Sequence, residues 1–332
     1  MYKISFPLLI NFLLFAVIIA FLASLSMGNN SISVLQAVKD YFGNTLSLHQ
    51  TVVWDIRLPR VILALLVGAS LGISGAAMQG FLRNPLAEPG ILGVSSGAAL
   101  GAVIVLYFGL AASAWYWLPC AAIAGALSAL LLVYLLAGIN GSVLSLILAG
   151  VAINAIAGAM IAVALNFAPS YFALQEIVFW LMGSLANRNI HHVYIAAPFI
   201  VVGWIFLLSR TRFLNALSLG EETAMSLGFN PRYERNILLL GLALCIGASV
   251  AVSGSIGFVG LVVPHLLRPL VGYKPGRLLL ASALGGALLV LLADILVRQV
   301  NISRELKLGV VTALVGGPFF LALILKTRSR WI

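Results

Sequence analysis

The chain has 332 residues, 62% of them hydrophobic and 8% charged, with a mean hydropathy of +1.12 and a formal net charge of +10. That balance excludes a soluble domain, which would lack the polar surface to meet water. The positive charge reflects membrane topology and is no argument for nucleic acid.

A helix that crosses a bilayer core needs about 20 apolar residues. Ten such runs succeed one another, at 5–27, 61–82, 90–110, 116–137, 143–165, 192–209, 236–253, 255–271, 278–297 and 308–325. The period-two alternation of a membrane barrel is absent. The expectation is therefore an all-α, polytopic membrane protein of about ten transmembrane helices, a single transmembrane domain over 1–332. The first run comes after Lys3. It is too long for a secretory leader and lacks a small-x-small cleavage site, so a retained helix is expected.

"GASLGISG" at 68–75 returns as "GASVAVSG" at 247–254, with five of eight positions identical. The copies fall in the second and seventh spans, so they run in opposite directions, as inverted internal repeats do. Gly68 and Gly72, and Gly93, Gly97 and Gly101, stand four apart, a spacing that lets helix backbones approach closely. Cys120 and Cys245 both lie in apolar runs and read as packing residues. His191 and His192 are adjacent, so they do not share a helix face. An interfacial position fits them better than a metal site. His265 reads as a packed polar residue.

"LSLGEETAMSLGFNPRYERN", 217–236, is a charged island between apolar runs. Ser218 and Glu221 have capping-box spacing. Glu221 and Glu222 fall where a helix dipole favours negative charge. Gly228 offers a left-handed stop, and Asn230-Pro231 a restart. Two short helices broken at Gly228 are expected outside the bilayer, packed on the bundle itself or on a partner because each is marginal alone.

With ten spans both termini share a side. That side collects Lys3, Arg83, Arg210, Arg212, Arg232, Arg235, Arg268, Lys274, Arg277, Lys326, Arg328 and Arg330, twelve in all. The other side collects seven: Lys39, Arg57, Arg60, Arg188, Arg298, Arg304 and Lys307. The positive-inside rule makes the first side, with both termini and the island, cytoplasmic. No phosphate-binding Gly-x-x-x-x-Gly-Lys-Ser/Thr occurs, so this chain does not bind nucleotide through a P-loop. No acid falls in mid-span; Glu176 and Asp294 lie near the outer ends. An ion-coupled secondary transporter, the alternative reading, would need embedded acids. A membrane enzyme would need a His, Asp, Glu or Cys cluster at one depth. Neither cofactor nor metal is expected.

"DIRLPRVILALLVGASLGISGAAMQGFLRNPLAEPGILGVSSGAALG" (55–101), "LSLGEETAMSLGFNP" (217–231), "SGSIGFVGLVVPHLLR" (253–268) and "LGVVTALVGGPFFLALI" (308–324) together resemble the permeases of type II ABC importers, the iron-chelate and cobalamin uptake group. The resemblance runs in order from about residue 50 to the C-terminus. It implies a homodimer in the bacterial inner membrane, with two copies of an ABC ATPase subunit beneath it. A periplasmic substrate-binding protein would deliver a ferric siderophore, haem or cobalamin. It implies that 217–236 forms coupling helices, with Gly220, Glu221, Glu222, Ala224, Gly228 and Pro231 in the ATPase cleft. It implies docking of the binding protein on solvent-exposed Arg57, Arg60 and Arg298. It implies a cytoplasmic gate at "RNPL" (83–86) and "INGSV" (139–143), with Asn84, Leu86, Asn140 and Ser142 as candidates. The motifs serve all three chelates, so specificity is expected in the binding protein.

Overall fold

A computed structural model describes residues 5–28, 33–43, 47–138, 141–300 and 306–328. Among them there is no strand. The helices in chain order begin with α1 (Phe6–Ser26), α2 (Val34–Phe42), α3 (Leu48–Thr51) and, after a π-helical stretch at Val52–Arg57, α4 (Leu58–Phe81). A short turn of helix at Pro89–Leu92 leads into α5 (Val94–Tyr107), then α6 (Trp117–Ala137), α7 (Val143–Asn166), α8 (Tyr171–Leu181) and α9 (Ile190–Ser209). Helix α10 (Thr211–Leu217) leads into the island, which contributes α11 (Glu221–Ser226), and the chain continues through α12 (Pro231–Ser253), α13 (Val259–Leu267), α14 (Pro275–Gln299) and α15 (Leu308–Arg328).

Among the described residues seven stretches are long and apolar enough to cross a membrane: α1, Leu48–Phe81, α6, α7, α9, α12 and α14. The other three expected spans are α5, α13 and α15. Two of them are cut short by irregular backbone. The chain enters α5 through the Pro89–Leu92 turn and Gly93 at φ +76°, and α13 has only nine residues after an entry at Phe258, φ +67°. An eleven-residue helix absent from the ten expected runs, α8, lies between α7 and α9. Broken backbone at membrane depth must find its hydrogen bonds within the protein. Here Asn154 Nδ2 donates to Gly90 O at 2.9 Å and Arg188 Nε to Val252 O at 2.7 Å.

The two copies of the repeat lie in the two most enclosed helices, α4 and α12. The C-terminal end of α4 and the N-terminal end of α12 line the same cleft, so the helices run antiparallel as expected. Helix α4 packs on α14 along Gly68 and Gly72, which face Gly286 and Ser282. A Cβ on Gly72 would collide with the Ser282 carbonyl, and one on Gly286 with the Gly68 carbonyl. The four-residue spacing of small residues thus permits close approach of these two helices in the bundle core. Ser70 accepts from Trp204 Nε1 at 3.1 Å, tying α4 to α9. Cys245 is buried on α12, whereas Cys120 is exposed and is not the packing residue expected.

Candidate functional site

The island departs from its expected form at its start. Ser218 ends α10, and its hydroxyl donates to Asn215 O at 2.7 Å, so no capping box forms with Glu221. The N-cap of α11 is Gly220, at φ +123°, a backbone conformation that needs glycine. Glu221 and Glu222 do occupy the first turn of α11. The helix closes at Gly228, φ +87°: the Gly228 amide donates to Met225 O at 2.9 Å and the Phe229 amide to Ala224 O at 3.1 Å. This pair of bonds is a Schellman motif. Asn230 Oδ1 then accepts from the amides of Arg232 and Tyr233, with Pro231 first in the helix. What restarts is not a second short helix. It is α12 itself, because nothing interrupts it before Ser253.

Only Ala224 of α11 is buried. Leu219, Met225 and Leu227 are 71%, 51% and 61% exposed, beside the two exposed glutamates. Helix α10, which leads into the island, is in contrast locked to the bundle. Asn215 Oδ1 accepts from Gly276 N at 2.8 Å, which joins α10 to the start of α14. Arg210 pairs with Glu234 at 2.6 Å, which joins the start of α10 to the start of α12. Phe213 is buried against Phe229, ring centroids 5.9 Å apart. Helix α10, next to α11, is thus bonded to the starts of two long helices, α12 and α14.

Beside it lies a cleft of about 810 Å³. Glu221 and Pro231 of the island, Ser142 of the α6–α7 connection, and Phe81 and Arg83 at the end of α4 line it. Arg235 Nη1 donates to Gly141 O at 2.6 Å, so the α6–α7 connection is bound to the first turns of α12. Ser142 caps α7, its hydroxyl accepting from Ser145 N at 3.1 Å. Asn84 and Leu86 are exposed in an Asx turn, Leu86 N donating to Asn84 Oδ1 at 2.9 Å. They are not among the residues that line the cleft. Asn140 lies outside the described residues.

At the opposite end the arginines are not the solvent-exposed rim expected from the sequence. Arg57 is 6% exposed, and the side chains of Arg60 and Arg298 are 13% and 11% exposed. The cause is Asp294, fully buried on α14, which holds Arg60 at 2.9 Å and Arg298 at 3.1 Å. The guanidinium groups also close the end of α1. Arg57 donates to the carbonyls of Leu25 and Ser26 at 2.8 and 3.0 Å, and Arg298 to those of Ser24 and Met27 at 2.9 and 3.1 Å. Carbonyls at a helix C-terminus lack partners within the helix and carry the negative end of its dipole, so cations suit them.

One acid does lie deep, although none was expected. Glu88 lines a cavity of about 160 Å³ together with Ser95, Ser255 and Leu71, the last from the middle of α4. The sequence signal is present in "AEPG", whose Pro and Gly mark a break, but the apolar run beginning at 90 masks it. His192 accepts the Asn189 amide at 3.3 Å at the start of α9, and the His191 ring lies 4.9 Å from the Trp115 ring. His265 packs on Phe319 at 5.9 Å.

Comparison with known proteins places this geometry. The model of the FecCD transport family matches residues 16–326. The hemin transport system permease protein HmuU of Yersinia pestis is 43% identical over 328 residues, 97% of each chain. The vitamin B12 import system permease protein BtuC of Citrobacter koseri is 44% identical over 278 residues, 83% of each chain. The iron(3+)-hydroxamate import system permease protein FhuG of Bacillus subtilis is 36% identical over 335 residues, 98% of this chain and 99% of its own. A solved structure described as an inward-facing conformation of a metal-chelate type ABC transporter aligns with a TM-score of 0.84 at 35% identity, covering 97% of this chain and all of that one. With one family model spanning nearly all of it and such relatives end to end, the chain belongs to the FecCD transport family.

Proposed function

We propose that this chain is the membrane permease of an ATP-driven importer that carries a metal chelate, a ferric siderophore, haem or cobalamin, from periplasm to cytoplasm. The relatives named for hemin, vitamin B12 and iron(3+)-hydroxamate import support the substrate class. ATP hydrolysis belongs to a separate subunit. The working assembly is two copies of this chain, two ATPase subunits and one substrate-binding protein, in a bacterial inner membrane. Both termini and the island face the cytoplasm, as the twelve-to-seven bias of basic residues supports.

The observation that carries this reading is the contrast between the island and the helix that leads into it. The helix that leads into it, α10, is bonded to α12 and α14, while Leu219, Met225 and Leu227 stand uncovered beside Glu221 and Glu222. That is the form of an element built to be gripped. In this reading 217–236, with Gly220, Glu221, Glu222, Ala224, Gly228 and Pro231, couples the ATPase to the bundle. Closure of the ATPase dimer moves α11, and the linked starts of α12 and α14 move with it. The neighbouring cleft, edged by Ser142 and next to Asn84 and Leu86, is the cytoplasmic gate, a role the family resemblance also gives to Asn140. At the periplasmic end Arg57, Arg60 and Arg298 form the floor on which the binding protein docks, Arg60 and Arg298 being held in place by Asp294. Transport is tested in proteoliposomes of the permease with its ATPase. Uptake of radiolabelled cobalamin, haem and a ferric hydroxamate, each with its binding protein, is expected to require ATP. Uptake driven by a proton or sodium gradient without ATP would overturn the reading.

A further inference from the structure

Three long apolar helices have an end at the cleft beside the island. The close of α4 gives it Phe81 and Arg83, the start of α7 gives it Val143 and Leu144, and the first turns of α12 give it Arg232 and Arg235. Where spans end, hydrocarbon gives way to water, and lipid phosphates lie at that border. Three guanidinium groups line the cleft against one carboxylate, that of Glu221. Arg235 is engaged with the α6–α7 connection, donating to Gly141 O at 2.6 Å. Arg83 and Arg232 are exposed, and among the described residues no carboxylate pairs with either.

Arg83 stands where glycine is usual. Its φ is +50°, its amide donates to Gly80 O at 3.4 Å, and the Asn84 amide donates to Gln79 O at 3.2 Å. This is the same helix close as at Gly228, but with a side chain in a conformation that disfavours one. Glycine would close α4 with less strain and would take a cation out of the cleft. The remaining wall is largely apolar. From Leu144 an uncovered apolar stripe continues up α7 through Leu148 and Val151, at i, i+4 and i+7. Cations at the border and an apolar track beyond them match the phosphate and the acyl chain of one phospholipid. A carboxylate of the ATPase fits less well. Of α11 the cleft takes Glu221 and Met225, one turn apart, whereas the exposed Glu222 and Leu227 are not among its residues. The cleft and the side of the island open to a partner are therefore different sides.

We propose that this cleft is a phosphate site that seats the headgroup of an anionic phospholipid of the inner leaflet, Arg83 and Arg232 binding its phosphate oxygens and Leu144, Leu148 and Val151 receiving an acyl chain. A guanidinium fork matches phosphate geometry, and basic pockets between spanning helices on the cytoplasmic side suit such headgroups. Arg235 adds the third positive charge. The N-termini of α7 and α12, helices of 24 and 23 residues, add the positive ends of their dipoles. A lipid seated here ties the end of α4 to the start of α12 beside α11, so coupling through the island depends on lipid charge. The choice of leaflet and this regulatory role rest on the reading of the chain as an importer permease. Soluble phosphate is the other source of the same group, and the test separates the two.

The test titrates the delipidated permease–ATPase complex in detergent with phosphatidylglycerol, with phosphatidylcholine as reference, and counts bound lipid by native mass spectrometry. The unaltered complex is expected to prefer phosphatidylglycerol. Arg83→Gln combined with Arg232→Gln should weaken that binding by about tenfold, the effect of losing charge-assisted contacts. Arg83→Lys with Arg232→Lys should keep much of it. Arg212→Gln, an exposed cytoplasmic arginine outside the cleft, should leave it unchanged. In nanodiscs, stimulation of ATP hydrolysis by the substrate-binding protein should be greater with phosphatidylglycerol than with phosphatidylcholine alone, and the Gln pair should abolish the difference. Equal lipid binding by the Gln pair, or an equal loss in Arg212→Gln, would overturn the proposal. So would lipid that binds the permease alone and leaves when the ATPase joins, which would give the arginines to that partner. An absence of bound lipid, as when a second copy covers the cleft, would overturn it too. Inorganic phosphate binding where phosphatidylglycerol does not would keep the phosphate chemistry and overturn the lipid. The lipid counts need no transport, so a complex without ATP-driven uptake would sink the permease reading and leave them standing.

Discussion

Arg60 reaches from α4 to Asp294 on α14 with two nitrogens: Nε and Nη2 both stand 2.9 Å from Oδ1. The carboxylate is fully buried, and Arg298, one turn further along α14, approaches its other oxygen at 3.1 Å. A buried ion pair adds little net stability over an apolar pair of the same shape, but removal of one partner leaves uncompensated charge. Asp294→Asn is therefore expected to destabilise the permease by about 3 kcal/mol, read from thermal unfolding of the purified protein. Replacing the whole triad, Arg60→Met and Arg298→Met with Asp294→Leu, should recover much of that loss. Equal stability of Asp294→Asn and the unaltered protein would show that the acid is not what holds these arginines.

Transmission through the island is a separate matter from its folding. Glu222→Arg should leave the bundle intact, because Glu222 is exposed and lies outside the core. Gly220→Pro strikes the hinge. Gly220 sits at φ +123° and its amide donates to Leu217 O at 3.1 Å, whereas proline holds φ near about −65° and has no N–H. In both variants chelate uptake is expected to fall to the level of an ATP-free control, with unchanged elution of the permease on size exclusion. Uptake at the normal rate in both would remove the coupling role of 217–236.

The orientation can be read with cysteines on a background carrying Cys120→Ala and Cys245→Ala. Glu222→Cys should react with an impermeant maleimide only after the cytoplasmic side is opened. Leu48→Cys, at a 72% exposed position, should react from the periplasmic side of intact cells. The opposite pattern would invert the topology and every role that depends on it.

Acid should loosen the packing of α2 on the stretch from Leu48 to Arg57. The Ser47 hydroxyl holds the Asp40 carboxyl below its ordinary value of 3.8, against the opposing effect of desolvation and with help from the Gln36 amide and the charge of His49. A depressed folded-state value means that the stabilisation is complete above the unfolded value and is lost as pH falls through the folded one. Amide exchange at 34–43, corrected for the intrinsic pH dependence of exchange, is expected to be flat from neutral pH down to that ordinary value and to quicken below it. Asp40→Asn should exchange quickly at every pH. Faster exchange already between about pH 7 and 5 would point to a different group.

The α4–α14 crossing gives a packing prediction. Gly72→Val places carbon where the Ser282 carbonyl already is. Overpacking of this kind costs about 1–3 kcal/mol, so the variant should unfold at lower temperature, whereas Gly257→Ala, with open space around it, should not.

Much of this molecule comes from local chemistry that is legible along the chain. Apolar runs of bilayer length, the antiparallel repeat at 68–75 and 247–254, the left-handed stop at Gly228 and the cap at Asn230 depend on residues close together in sequence or on the order of spans, so the sequence alone determines them. The direction in which a long side chain turns does not. Arg57, Arg60 and Arg298 look like a cationic rim in the sequence, because Asp294 is 234 residues from Arg60 and the Ser24 carbonyl is 274 from Arg298. Only the tertiary structure brings an acid and a helix end within reach, and a buried carboxylate then draws the guanidinium groups inward. The same holds for Glu88. Its apolar neighbours suggest a span, but broken backbone is tolerated at that depth only because side chains such as Asn154, far along the chain, supply the hydrogen bonds that the bilayer cannot.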